Sequence, residues 1–295
     1  MTEGTRRERF GRWVPEAPVS VRQLRSPISA HRAYAEVVLV YVVGFGYSVV
    51  SAFILLRHPG DVSLHVPTPG GQLLGVAFTW ALQLPGIGLA IWLLRRRGWS
   101  LSRLGIRPTW VAPATQRGQA VQILAVMFVA QFAAAFAFSA LARRTHFPHG
   151  PVGPWGMIGG LSGALRSGFT EELVVTAFVI VTLRQARRPW REILAVSLAC
   201  RVAYHVYYGT PWVVVWIAIW AGAAFWLYWR TRRLTPIIAA HVLWDALGFT
   251  ALELGHVGEA VVGAIYAGGF LIGLLALVVA TVKALGGAPA QTSVR

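Results

Sequence analysis

Eight stretches of this chain are apolar for about the length that crosses a bilayer. They run near 34–56, 71–94, 119–141, 156–183, 192–208, 211–229, 235–253 and 261–282. At a rise of about 1.5 Å per residue, roughly 20 apolar residues span the hydrocarbon core. The apolar residues come in blocks rather than in period-2 or period-3.6 stripes, as in helices buried in lipid or in a large core. Only 13% of the 295 residues are charged and 56% are hydrophobic, whereas a soluble domain is about a quarter charged. The expected fold is all-α: a polytopic transmembrane bundle of about eight spans. The fifth stretch is short. The fourth is long, and a break is expected near Gly159, Gly160 and Gly163.

Charge tests this count independently. The formal charge is +16, from 27 Lys and Arg against 11 Asp and Glu. On a soluble protein such a balance points to nucleic acid. Here the distribution points to lipid, and no nucleic-acid partner is expected. With the N-terminus placed in the cytoplasm, 22 of the 27 basic residues fall in inner segments, notably Arg95–Arg97, Arg184–Arg191 and Arg230–Arg233. Arg57, Arg143 and Arg144 fall outside, and Arg166 and Arg201 fall within spans. Cytoplasmic loops of membrane proteins carry this excess, so both termini are expected inside. Moving the count by one span would place the later arginine clusters outside.

The domain plan is a basic cytoplasmic tail at 1–32, a membrane domain at 33–283 whose motif-bearing core is 156–250, and a tail at 284–295. Both tails read as disordered. The first lacks the apolar segment of a signal peptide. Cys200 is the single cysteine, so no intrachain disulfide and no CxxC metal site is expected. The Ala-, Gly- and Arg-rich, nearly Lys-free composition fits a GC-rich bacterial genome and hence a bacterial cytoplasmic membrane.

The informative residues are those that do not suit lipid. Glu36, Arg166, Glu171, Glu172, Arg201, His205, His241, Asp245 and Glu253 fall inside or at the ends of spans. Each such group costs roughly 2.5–3.5 kcal/mol on insertion scales, so it needs a partner, water or a function. Glu36 and Glu253 lie near span ends and are expected to be solvated. Counted inward at 1.5 Å per residue, Glu171 and His205 sit roughly 20 Å above the cytoplasmic ends of their spans, and His241 and Asp245 roughly 9 and 15 Å above theirs. These depths allow one shared site in the middle or outer half of the bilayer.

His241 and Asp245 are four apart and share a helix face, as do Arg201 and His205. Glu171 and Glu172 are adjacent, about 100° apart around a helix. One is expected to face a cavity and the other a neighbouring helix. Two carboxylates this close in low dielectric do not both stay ionised without a cation, and Arg201 is the candidate. A carboxylate and an imidazole holding one water form a general base, and a second His with an Asp can serve a developing oxyanion. The plainer alternative is that these groups pair only to hold helices together.

The motifs EELVVT (171–176), RVAYH (201–205) and HVLWD (241–245) resemble those of the CPBP family, the intramembrane proteases that include the type II CAAX prenyl proteases and the bacteriocin-processing and Abi proteins. The family pattern is an EExxxR box, then FxxxH, then HxxxN or HxxxD. WLYWRTRRLTPIIAAH (226–241) and RRRGWSLSRLGIRP (95–108) are also similar to family sequence, and the likeness covers roughly 95–250. It implies that Glu171 activates water with His205, that His241 and Asp245 form the oxyanion pair, and that Glu172 supports them. Two positions depart: Thr176 stands where the box has arginine, and Arg201 where FxxxH has phenylalanine. Arg201 is expected to replace the missing cation by pairing with Glu172.

The function expected is endopeptidase cleavage of a membrane-associated protein or peptide, with no cofactor. A second reading is a zinc peptidase using His205, His241 and Glu171 as ligands with an open position. Two others are a proton-coupled transporter and a non-catalytic membrane scaffold or immunity-type protein. The transporter reading lacks the inverted repeat that many transporters show.

Overall fold

A computed structural model describes residues 28–57, 69–106, 114–141 and 153–286. The described chain is a bundle of helices, with no strand among these residues. We number them α1 (Ala30–Arg57), α2 (Pro69–Arg96), α3 (Ala114–Leu141), α4 (Gly153–Thr170), α5 (Val179–Gln185), α6 (Trp190–His205), α7 (Val213–Thr231) and α8 (Thr235–Gly286). α8 covers the last two apolar stretches. It changes direction at Gly255, whose φ of 59° and ψ of −145° are not helical and suit a residue without Cβ.

Five helices are individually long and apolar enough to cross a membrane: Ala30–Arg57, Gly70–Arg96, Gly118–Leu141, Val213–Thr231 and Leu254–Val279. The α4–α5 region, α6 and the start of α8 carry the ionisable residues. Their neighbours shield them: α4 packs on α2 and α8, and α6 on α1 and α7. Outward faces of α1, α2 and α8 show Val38, Leu74, Ile272 and many similar side chains, as lipid contact requires.

The expectation of a break in the fourth stretch is corrected. The helix does not break at its glycines; α4 runs straight through Gly159, Gly160 and Gly163. The irregularity lies one step on, where Glu171–Phe178 winds as a π-helix and all eight residues are buried. The glycines serve close approach instead. A Cβ on Gly160 would lie 2.8 Å from the Phe249 ring, and one on Gly168 would lie 2.5 Å from Val242 Cγ2, so α4 and α8 meet nearly backbone to backbone. The short fifth stretch is α6 followed by a 3-10 turn, Val206–Tyr208.

Glu36 is also corrected. It is buried, and its carboxylate pairs with Arg32 at 2.9 Å and with Arg97. Arg97 in turn donates to Thr182 Oγ1 at 3.2 Å and Gln185 Oε1 at 3.1 Å. The arginine that follows α2 thus reaches under α1, so the carboxylate finds a guanidinium before it finds water. The side chain of Glu253, tail residues 1–27 and tail residues 287–295 lie outside the described residues.

α1 and α2 cross at glycines. A Cβ on Gly86 would fall 2.4 Å from Gly44 Cα and 2.7 Å from Gly44 N. Neither is the end of a flexible side chain, so the backbones must part. Gly86→Ala is expected to destabilise by about 1–3 kcal/mol, the usual range for overpacking. Thermal unfolding in detergent checks this, with Gly88→Ala as control because nothing lies near a Cβ there.

Candidate active site

The π-helical segment presents two carboxylates to one guanidinium. Arg201 Nη1 donates to Glu171 Oε2 at 2.9 Å, and Nη2 donates to Glu172 Oε1 at 2.7 Å. Nη2 also lies 2.8 Å from Thr176 Oγ1, which itself donates to Glu172 Oε2 at 2.9 Å. Arg201 is fully buried, and its guanidinium stacks 4.6 Å from the Trp220 ring centre. Arg201 thus pairs with Glu172, as expected, and in addition with Glu171. A π turn holds more residues than an α turn and narrows the angle between neighbours. The forked guanidinium has two nitrogens to offer, so both acids reach it.

The two acids still differ. Glu172 is wholly buried, with both oxygens occupied. Glu171 lines a cavity of about 680 Å³. Its Oε2 accepts from Arg201 and from the Tyr204 hydroxyl, the latter at 2.8 Å. With Oε2 doubly held, Oε1 is the oxygen left for water.

His205 ends α6 and faces the same cavity. Its Nδ1 lies 2.8 Å from the carbonyl oxygen of Arg201. A carbonyl can only accept, so Nδ1 carries the hydrogen and Nε2 keeps its lone pair. Tyr204, Tyr208 and Trp216 pack around the ring, with centroids 4.6, 5.9 and 5.4 Å away. The ring is thus fixed in tautomer and in plane, which is what a base acting on one water requires.

His241 bridges the remaining acids. Nδ1 lies 2.9 Å from Glu172 Oε1, and Nε2 lies 3.5 Å from Asp245 Oδ2. Asp245 Oδ2 also accepts from Ser167 Oγ at 2.7 Å. Asp245 and Ser167 line the cavity beside Glu171, His205 and His241. Arg166 lines it too, and its Nε has no hydrogen-bond partner among the described residues. Three carboxylates, two arginines and an imidazole with acids at both nitrogens so form one cluster. Its charges nearly cancel, as a low-dielectric site demands.

No group of three or more His, Cys, Asp or Glu side chains among the described residues is arranged to hold a metal ion. Both nitrogens of His241 already face carboxylates. That ring would have to release one of them to offer a lone pair to zinc.

Every ionisable residue singled out in the α4–α5 region, α6 and the start of α8 meets the others here. Sequence reasoning missed Tyr204, Ser167 and the cavity glutamines Gln83 and Gln131, whose side chains are buried. A signal existed for two of them. Ser167 is four residues before Glu171, and Tyr204 directly precedes His205.

Fold and site define a class: a polytopic α-helical membrane protein with an internal, charge-compensated cavity that pairs carboxylates with imidazoles. Residues 153–247 match the family described as type II CAAX prenyl endopeptidase Rce1-like. This match, over about a third of the chain, is consistent with the CPBP family of intramembrane proteases. No curated protein and no solved structure matches the chain.

Proposed function

We propose that this protein is an intramembrane endopeptidase in which Glu171 and His205 activate one water. The observation that carries this is the free oxygen of Glu171 in the same cavity as the lone-pair nitrogen of His205, each locked from behind by a hydrogen bond. Glu171 takes a proton as the water oxygen bonds to the scissile carbonyl carbon. The carbonyl oxygen becomes an oxyanion and meets the Nε2–H of His241, whose contact with Asp245 is long enough to be redirected. The C–N bond then breaks, and the proton passes from the Glu171–His205 pair to the leaving nitrogen. Asp245, held by Ser167, orients His241. Glu172 and Arg201 hold the frame. The eight-span arrangement with both termini inside belongs to this reading.

The test compares membrane-protein fragments in cells carrying wild type or Glu171→Ala. The reading expects new termini that appear with wild type and vanish with the variant. Identical fragments in both would overturn it. Tyr204→Phe keeps the ring and removes the bond to Glu171. It is expected to lower kcat about tenfold to a hundredfold with little change in KM, as for a hydrogen bond to a charged group; steady-state kinetics on the purified protein checks this. Chelators are expected to leave turnover unchanged, and metal-dependent turnover would favour the zinc reading.

A further inference from the structure

The two faces of the bundle are chemically unlike. On one, Arg97 bonds Thr182 and Gln185, Arg184 stacks on Trp229, Arg232 on Trp99, and Gly105 O accepts from Thr235 N. These contacts gather the start of α1, the end of α2, the end of α5 and the α7–α8 turn at one end of the molecule. Arg95, Arg96, Arg103, Arg187, Arg188, Arg191, Arg230 and Arg233 belong to the same segments. At the opposite end, Arg57 is the one arginine that closes a described helix.

Most of the cavity's lining lies toward the arginine-poor end, and His241, six residues into α8, marks its floor. The cavity is lined by the second half of α1 (Phe45–Leu55), the first half of α2 (Thr79–Gln83), α4 near Arg166, and the start of α7 at Trp216. Tyr47, Leu55, Tyr207 and Phe249 are exposed at its rim. Toward the arginine-rich end the site is closed by packed core: Phe178, Ile180, Leu183, Ile193 and Tyr228 are 0% exposed. Glu171 is thirteen residues from Arg184, about 20 Å along the helix axis.

Arginine-rich loops mark the cytoplasmic side. We propose that the cavity is reached from the non-cytoplasmic side. The segment it cuts then belongs to a peptide or protein exposed on that side or lying in the outer leaflet. A tail arriving from the cytosol would meet the arginine face and its packed core first. That a segment is cut there rests on the protease reading; the direction of access does not.

Labelling tests it without turnover. In a Cys200→Ser background, single cysteines are placed at Ser51, which lines the cavity, and at Ser102, which is exposed on the arginine face. A membrane-impermeant maleimide is applied to sealed right-side-out and inside-out vesicles holding the full chain. Ser51→Cys is expected to label in right-side-out vesicles and Ser102→Cys in inside-out ones. Labelling of Ser51→Cys only in inside-out vesicles, or from neither side, would overturn the proposal, as would labelling of both cysteines from the same side. None of these results bears on whether Glu171 cuts peptides. The fragment comparison can fail while the labelling succeeds.

Discussion

Glu171→Gln is expected to lower turnover roughly a hundredfold to ten-thousandfold, the span of a general base, while the protein still folds. An amide oxygen can still accept from Tyr204 and Arg201, so the bonds that hold residue 171 in place survive. What is lost is basicity at the oxygen facing the cavity. Turnover of the purified variant, alongside its unfolding temperature, separates the two effects. A variant as active as wild type would remove Glu171 from the chemistry. Glu172→Gln should behave differently, because that side chain holds Arg201, Thr176 and His241 together. It is expected to lose stability first and activity as a consequence.

Arg201→Met is expected to be the most destabilising single change, by about 3–5 kcal/mol. Removing one partner leaves buried charge uncompensated, and here one guanidinium serves two acids. Unfolding in detergent measures this. A partial rescue would identify the cause: Arg201→Phe combined with Thr176→Arg returns the cation to the position where the family motif carries it. The geometry favours such an exchange, since the Arg201 Nη2 already sits 2.8 Å from Thr176 Oγ1. If Arg201→Met folded and worked like wild type, the charge-compensation account would be wrong.

Much of this was legible in the sequence, for a physical reason. Ionisable groups are so unfavourable in lipid that Glu171, His205, His241 and Asp245 stand out against their spans, and helical rise gave their depths closely enough to group them. What stayed hidden depends on packing across helices. Nothing in EELVVT announces a π turn, so the sequence does not show that Arg201 reaches Glu171 as well as Glu172. Glu36 looked like a surface acid because Arg97, its partner, is 61 positions away and meets it only after folding. The glycines at 159–163 read as helix breakers; in the bundle Gly159 lets α2 approach and Gly160 lets α8 approach. Tyr204 and Ser167 were overlooked because a hydroxyl in a span is far cheaper to bury than a charge.

The claim under all of this is that Glu171 and His205 act together on one water. The direct measurement is kcat for Glu171→Gln, for His205→Ala and for the double variant, each corrected for folded fraction. Groups that work as a unit are non-additive, so the double variant is predicted to be no slower than the slower single. Losses that multiply in the double variant would mean the two side chains act on separate steps, and the shared-water account would be contradicted.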